Sequence, residues 1–268
     1  MPELPEITVL ARQMKAELVG KTISGMEILQ PKILNIDEEA FREALTGARF
    51  LDVTHQGKWI VVQTTQGWLM LSLGMGGETL LVKGNEFPEK RRLILDFDDG
   101  THLVVNFWWF GYAHYAADPA DHKMTAKLGP NALDLSLGGF RALLEGRRGG
   151  IKSFLLNQER IAGIGNVYVQ DPLFKARIHP MRKIDSLSDD EIEALWAALR
   201  ETLQESVDLG ASAWEMDLHG VKGRWDASHL VVAYQEGKPC PECGTTVVKI
   251  KTGSTSTSIC PQCQPLNH

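Results

Sequence analysis

In the stretch PEITVLARQMKAELVG, apolar residues Ile7, Leu10, Met14 and Leu18 recur close to every 3.6 positions, and the run stops at Gly20. That spacing predicts an amphipathic helix whose start tolerates proline. Pro2 and Glu3 of the opening MPELPE then lie just before a helix N-terminus. From there to about Tyr115 the pattern shortens to the β-rich runs KTISGMEIL, RFLDVTHQG, KWIVVQT, GWLMLSLG, RRLILDFDDG and THLVVNFWWFG, separated by glycine and Asp-Gly turns. Short strands at a spacing of about ten residues predict a sandwich or barrel.

The stretch ADPADHKMTAKLGPNALDLS has two prolines and little periodicity, so it reads as a link between lobes. Beyond it the period turns helical in FRALLEG, IKSFLLNQERIAG, VYVQDPLFKARI and an acidic helix from Ser188 to about Leu209. Pro172 inside the third of these removes a helix hydrogen bond and predicts a kink after Asn166. The C-terminal part returns to β character, with HLVVAYQ leading into a cysteine segment and TGSTSTS, Thr252 to Ser258, reading as a hairpin tip. The resulting division is 1–118 for the β-rich lobe, 119–134 for the linker, 135–228 for the helical lobe and 229–268 for the cysteine segment.

A length of 268 residues suits two lobes. No run of about 18 apolar residues and no signal-peptide order occurs, so a cytoplasmic protein without a membrane partner is expected; a monomer is expected as well. The net charge of -6 argues mildly against nucleic acid as a partner. It averages over faces, however. Acids crowd Asp185 to Glu205, while bases gather at Lys90-Arg91-Arg92, Arg147-Arg148, Lys175 to Arg177 and Lys249 to Lys251. Such segregation leaves room for a basic face.

The four cysteines, Cys240, Cys243, Cys260 and Cys263, form two C-x2-C pairs separated by 16 residues. This spacing fits four thiolates on one tetrahedral zinc; two disulfides or a redox pair are the alternatives. Four sulfurs leave no open coordination position, so the zinc is structural and supplies folding energy to a segment with little core. In IAGIGNVY, Gly163 and Gly165 separate two helical runs, with Asn166 at a helix cap. Backbone N–H groups there, with Lys152 nearby, suit a phosphate; a plain tight turn is the other reading. At the N-terminus, removal of Met1 leaves Pro2 with a free secondary amine, a candidate nucleophile.

Taken together, MPELPE, Gly57-Lys58, LGM at Leu73 to Met75, Phe110-Gly111, LGP at Leu128 to Pro130, IKSFLLNQERIAGIGN, ARIHP at Ala176 to Pro180, CPECG and CPQCQ carry a resemblance. The chain resembles the formamidopyrimidine-DNA glycosylase and endonuclease VIII family over nearly its whole length. PELPE tilts the match toward the formamidopyrimidine branch. The resemblance implies an α+β protein with an N-terminal β-sandwich flanked by helices, a helix-two-turns-helix lobe and a C-terminal zinc β-hairpin finger. It also implies a duplex carrying a damaged base or abasic site as partner, held between lobes. By the same resemblance Pro2 is the nucleophile, Glu3 its partner acid and Lys58 the lysine near the scissile phosphate. Lys152 and Asn166 become phosphate-binding residues, and the four cysteines zinc ligands.

A base in a duplex must be flipped out before its C1′ can be reached. The implied activity is base-excision repair, with Pro2 attack on C1′ and strand cleavage by β,δ-elimination. Besides Pro172, two departures from the family pattern matter. NFWWFG places Trp108 and Trp109 where arginines are expected, so the implied duplex wedge is Met75, Trp109 and Phe110, and choice of the opposite base should weaken. Thr255 stands where the finger commonly carries an arginine, with Lys249 or Lys251 as substitutes. Oxidised pyrimidines or bulkier lesions are therefore an alternative substrate class, and a damage-binding protein with little excision is a rival reading. LHGVKGRWDAS, Leu218 to Ser228, is expected to be a mobile loop over the flipped base.

Overall fold

A computed structural model describes residues 1–266. The chain forms two compact units: Met1–Lys127 with Leu209–Arg224, and Leu128–Asp208 with the chain from Trp225 onward.

In the first unit, helix α1 (Leu4–Leu18) is followed by β1 (Ile23–Ile28), helix α2 (Glu38–Leu45), β2 (Phe50–Gln56), β3 (Trp59–Thr64) and β4 (Gly67–Ser72). Strands β5 (Glu78–Lys83), β6 (Leu93–Phe97), β7 (Thr101–Asn106) and β8 (Tyr112–Ala116) complete it. Two antiparallel four-stranded sheets result, ordered β1-β6-β7-β5 and β2-β3-β4-β8. Alternate residues form the shared core: Ile60 and Val62, Leu69 and Leu71, Leu93 and Leu95, Leu103 and Val105. The apolar stripe of α1, from Ile7 to Leu18, joins the same cluster.

All six runs expected as strands contain one. Helix α2 was not expected. Asp37 caps it through Ala40 N–H at 2.9 Å, and only Phe41 and Leu45 are buried, too few apolar positions to stand out among strands.

The second unit has helices α3 (Leu137–Leu144), α4 (Ile151–Leu155), α5 (Gln170–Lys175) and α6 (Asp189–Asp208), then the hairpin β9 (Val248–Thr252) and β10 (Thr255–Ile259). Three expectations are corrected. HLVVAYQ is not a strand: the N–H groups of Val231, Val232 and Ala233 all donate to the buried carboxylate of Asp171, which removes them from any ladder. Pro172 does not kink a helix, because α5 begins at Gln170 and its third residue needs no intrahelical N–H partner. The hairpin tip is only Gly253 and Ser254; the rest of TGSTSTS is strand.

The segment around Leu218 is anchored to the first unit. Leu218 lies in the sandwich core, its N–H donates to Gln13 at 2.9 Å, and its carbonyl accepts from Leu81 N–H at 2.8 Å. Asp217 closes the following turn by accepting from His219 and Val221 N–H groups.

Candidate functional site

The N-terminal segment is fixed by hydrogen bonds that the capping pattern explains. Glu3 N–H donates to Glu6 Oε2 at 2.8 Å, the return half of a capping box at the start of α1. Glu6 Oε1 accepts from Ser212 N–H at 3.2 Å, so the segment that returns to this unit braces the helix start. Pro2, Glu3 and Glu6 are all buried. Glu215, on the same returning segment, places Oε1 3.5 Å from the Met1 amine, and burial raises its carboxyl above the usual range.

Lys58 follows Gly57, whose φ of +56° makes the tight turn between β2 and β3. The Thr8 hydroxyl lies 3.3 Å from His55 Nε2, tying α1 to the end of β2 that carries this turn. Lys58 is partly exposed.

Met75 and Trp109 are joined by a two-way bridge: Met75 N–H donates to Trp109 O at 2.8 Å, and Trp109 N–H returns to Met75 O at 3.5 Å. The close approach demands glycine at position 74, where a Cβ would stand 2.1 Å from Trp109 O. Phe110 has a φ of +58°, an outlier for a bulky residue that turns its ring outward. The result is an apolar surface: Trp108 is 69% exposed, Phe110 65%, Trp109 57% and Met75 41%. Neither tryptophan is a core residue. Trp108 belongs with the other three, although only Trp109 was expected among the wedge residues.

In the second unit, Lys152 and Asn166 meet at 2.8 Å, Nζ to Oδ1. Lys152 is 2% exposed, and its ammonium also donates to Thr252, Thr255 and Thr257 hydroxyls and to Ser256 O. Burial lowers its pKa to about 8, against five acceptors that favour the cation. The threonine-rich hairpin is thus a receptor for a buried lysine. Thr255 accepts from that lysine, and Lys249 pairs with Glu236 at 3.2 Å, whereas Lys251 has no ion-pair partner among the described residues.

The glycine turn is also internally bonded. Gly163 N–H donates to Gln158 Oε1, and Gln158 Nε2 donates to Ile164 O. Asn166 is not the cap of α5, a position taken by Val169. Its side chain instead donates to the Tyr234 hydroxyl at 3.2 Å. Tyr234 is half exposed with a φ of +57°, directly after the turn that Asp171 gathers.

The Sγ atoms of Cys240, Cys243, Cys260 and Cys263 lie within 4.8 Å of one another, and two pairs stand at 3.9 and 3.5 Å. Zn–S bonds of about 2.3 Å in a tetrahedron require sulfurs roughly 3.8 Å apart, so the donor set fits one structural zinc.

Three domain families match in order. They are the formamidopyrimidine-DNA glycosylase N-terminal domain at residues 1–107, the H2TH domain of the same glycosylase at 128–217, and the zinc finger found in FPG and IleRS at 237–266. The chain belongs to the formamidopyrimidine-DNA glycosylase family. Relatives include the formamidopyrimidine-DNA glycosylases of Chloroflexus aurantiacus, 35% identical with 98% of each chain covered, and of Solibacter usitatus, 36% identical with 98% and 99% covered. Among solved structures, Lactococcus lactis Fpg in complex with abasic-site DNA matches with a TM-score of 0.89 at 28% identity, covering 98% of this chain and 99% of that one. The same protein with N7-benzyl-Fapy-dG DNA matches at 0.89 and 29%, covering 98% and 100%.

Within this glycosylase framework, sequence reasoning did not group Trp108 with Met75, Trp109 and Phe110, nor place Tyr234 beside Asn166 or Glu215 beside the terminal amine. Trp108 was legible as part of an apolar run that breaks strand alternation. Tyr234 and Glu215 gave no signal, because their relevance depends on Asn166 and the terminal amine standing beside them.

Proposed function

We propose that the protein is a bifunctional DNA glycosylase and AP lyase that removes oxidised or ring-opened bases with Pro2 as nucleophile. The observation that carries this reading is the rigid presentation of Pro2 and Glu3 by the Glu3–Glu6–Ser212 hydrogen bonds. Once Met1 is removed, the neutral Pro2 amine attacks C1′ of the flipped nucleotide, and the bond from C1′ to the base breaks with its electron pair leaving on the base, which takes up the proton that the Pro2 nitrogen sheds. Glu3 protonates O4′ as the sugar ring opens, which produces an iminium between Pro2 nitrogen and C1′. The iminium is cationic without further protonation, so C2′ becomes acidic. Loss of the C2′ proton expels the 3′-phosphate, and a second elimination expels the 5′-phosphate.

Lys58, at its glycine turn, contacts a phosphate of the lesion strand. Asn166, Tyr234 and Lys251 offer backbone contacts from the second unit, with Lys152 acting through Asn166 rather than touching DNA. Met75, Trp109 and Phe110, with Trp108, fill the vacated stack by apolar contact. The aromatic character of this wedge favours a broader lesion range, bulkier adducts and oxidised pyrimidines included, over strict excision opposite cytosine.

Borohydride trapping on duplexes with an abasic site, a formamidopyrimidine, 8-oxoguanine or an oxidised pyrimidine tests the reading. The expected result is an adduct on Pro2, lost in Pro2→Gly while DNA binding persists. Binding without an adduct on any duplex would leave a damage-binding protein as the better account.

A further inference from the structure

The reaction above starts from a neutral Pro2 amine, which calls for a group that takes the ammonium proton first. An α-amino group ordinarily titrates near pH 8, so at neutral pH most of it is protonated and has no lone pair for C1′. The acids at the start of α1 are already engaged: Glu6 accepts Glu3 N–H on Oε2 and Ser212 N–H on Oε1, and Glu3 is assigned to O4′. Glu215 has the terminal amine as its ion-pair partner, Oε1 standing 3.5 Å from Met1 nitrogen. Removal of Met1 shifts that amine by one backbone step, so Glu215 Oε1 starts no more than about 7 Å from Pro2 nitrogen, a gap that side-chain rotation or one bridging water closes.

The segment that carries Glu215 is tied to α1 on both sides. Before it, Ser212 N–H donates to Glu6 Oε1 at 3.2 Å; after it, Gln13 Nε2 donates to Asp217 Oδ2 at 2.8 Å and Leu218 N–H donates to Gln13 Oε1 at 2.9 Å. Glu6 and Gln13 lie about two turns apart on one face of α1, so the segment runs along the helix. Its base is closed where Gly223 passes Ala211, since a Cβ there would come within 1.9 Å of Ala211 O, and a bridge between Met216 and Lys222 stiffens the return. A carboxylate held in this way meets the amine with little conformational search.

The surrounding charges suit proton uptake. Burial, with Glu6 on α1 and Glu78 on β5, raises the Glu215 carboxyl above the usual range, against the terminal amine, which lowers it. On its own segment, Asp217 is taken up by Gln13 and by the His219 and Val221 N–H groups, and His219 stands 3.8 Å from Glu17. We infer that Glu215 is the proton acceptor that converts the Pro2 ammonium to the free amine before attack on C1′. One N–H bond of the ammonium breaks with its electron pair staying on nitrogen, an O–H bond forms on Glu215, and the freed lone pair attacks C1′. Glu215 returns its proton to water once the product leaves. The inference rests on the proposed function for the identity of the nucleophile. A carboxylate beside an ammonium also holds the proton in place, so an ion pair alone and a proton acceptor predict opposite signs: removing the carboxylate speeds attack in the first case and slows it in the second.

The test is single-turnover cyanoborohydride trapping on a duplex with a natural abasic site, across roughly pH 6 to 9.5, with the zinc-loaded, full-length protein and its E215Q variant. E215Q should trap at least about tenfold more slowly near pH 7 and approach the wild-type rate above about pH 9, where solvent leaves the amine neutral. Its affinity for a tetrahydrofuran duplex, which forms no iminium, and its melting temperature should stay unchanged. E215D, which keeps the carboxylate one methylene shorter, should recover part of the neutral-pH rate. An equal loss at every pH marks a structural role and overturns the inference, as does an E215Q rate equal to or faster than wild type at neutral pH. Absence of a Pro2 adduct with wild-type protein at every pH would take down the lyase reading and this one with it, whereas a wild-type adduct beside an indifferent E215Q removes Glu215 alone.

Discussion

In the sandwich, cohesion comes from paired apolar rows such as Ile60 and Val62 against Leu103 and Val105, and its buried acids, Glu3 and Glu6, sit at one helix start. In the second unit, the finger joins the helices through charge: Lys152 enters the threonine hairpin, and Asp171 gathers three N–H groups ahead of Tyr234. Around the finger the buried apolar set is small, chiefly Phe174, Val232, Val247 and the cysteines. The difference teaches where each unit is fragile. A sandwich loses stability in proportion to buried area, whereas a polar joint fails when one member is removed and its partners are stranded.

Zinc removal should sharpen the contrast most. The finger has too little core to fold on its own, so chelation or Cys240→Ala should abolish its ordered state and DNA binding together. The sandwich transition in calorimetry should stay within a few degrees. A finger that keeps its hydrogen-exchange protection without metal would break the comparison.

Asp171→Ala comes next. It strands three N–H donors, two of them buried, at an expected cost of about 3–5 kcal/mol. The loss should appear as early unfolding of the second unit, with exchange at Val231 to Ala233, while Leu103 and its neighbours remain protected. Equal loss in both units would show that the two are not separate cooperative blocks.

The first unit also has a buried pair of histidines. His114 Nδ1 and His122 Nε2 lie 2.9 Å apart, with Trp59 packed against both rings. Burial lowers both pKa values, and the neighbouring His122 helps bring His114 to about 4 from 6.5. Unfolded histidines take up protons below about pH 6.5, while folded His114 resists until about pH 4 and burial holds folded His122 below its ordinary value. Stability is therefore complete above pH 6.5 and falls as the pH drops toward 4, by about 2–3 kcal/mol. His114→Gln should flatten this dependence in pH-resolved thermal melts.

Legibility followed the same divide. Period-two alternation and glycine turns made the sandwich readable, because its stability is written in apolar positions that local pattern exposes. The cysteine spacing was readable for a similar reason, since four ligands of one metal must recur at set intervals. The polar joints were not. Nothing near Lys152 in sequence announces a cage about 100 residues away, and Val231 to Ala233 look like a strand until Asp171 is placed beneath them. The candidate site was read as separate residues; the Met75–Trp109 bridge that groups part of it is tertiary.

Glu6→Gln carries the smallest expected effect and the finest distinction. The amide keeps one acceptor oxygen, so either the Glu3 N–H bond or the Ser212 N–H bond can survive, and the cost should be about 1 kcal/mol. A purely structural cap would stop there, with borohydride trapping unchanged once the protein is folded. If the cap also aims the segment bearing the nucleophile, trapping should slow several-fold at unchanged DNA affinity, because a small displacement of a reacting atom costs rate before it costs binding. Ser212→Pro, which removes the second N–H donor from the other side, should slow trapping in the same way while leaving Glu3 N–H bonded to Glu6. Agreement between the two variants would assign the effect to the aim of the segment rather than to the charge of Glu6.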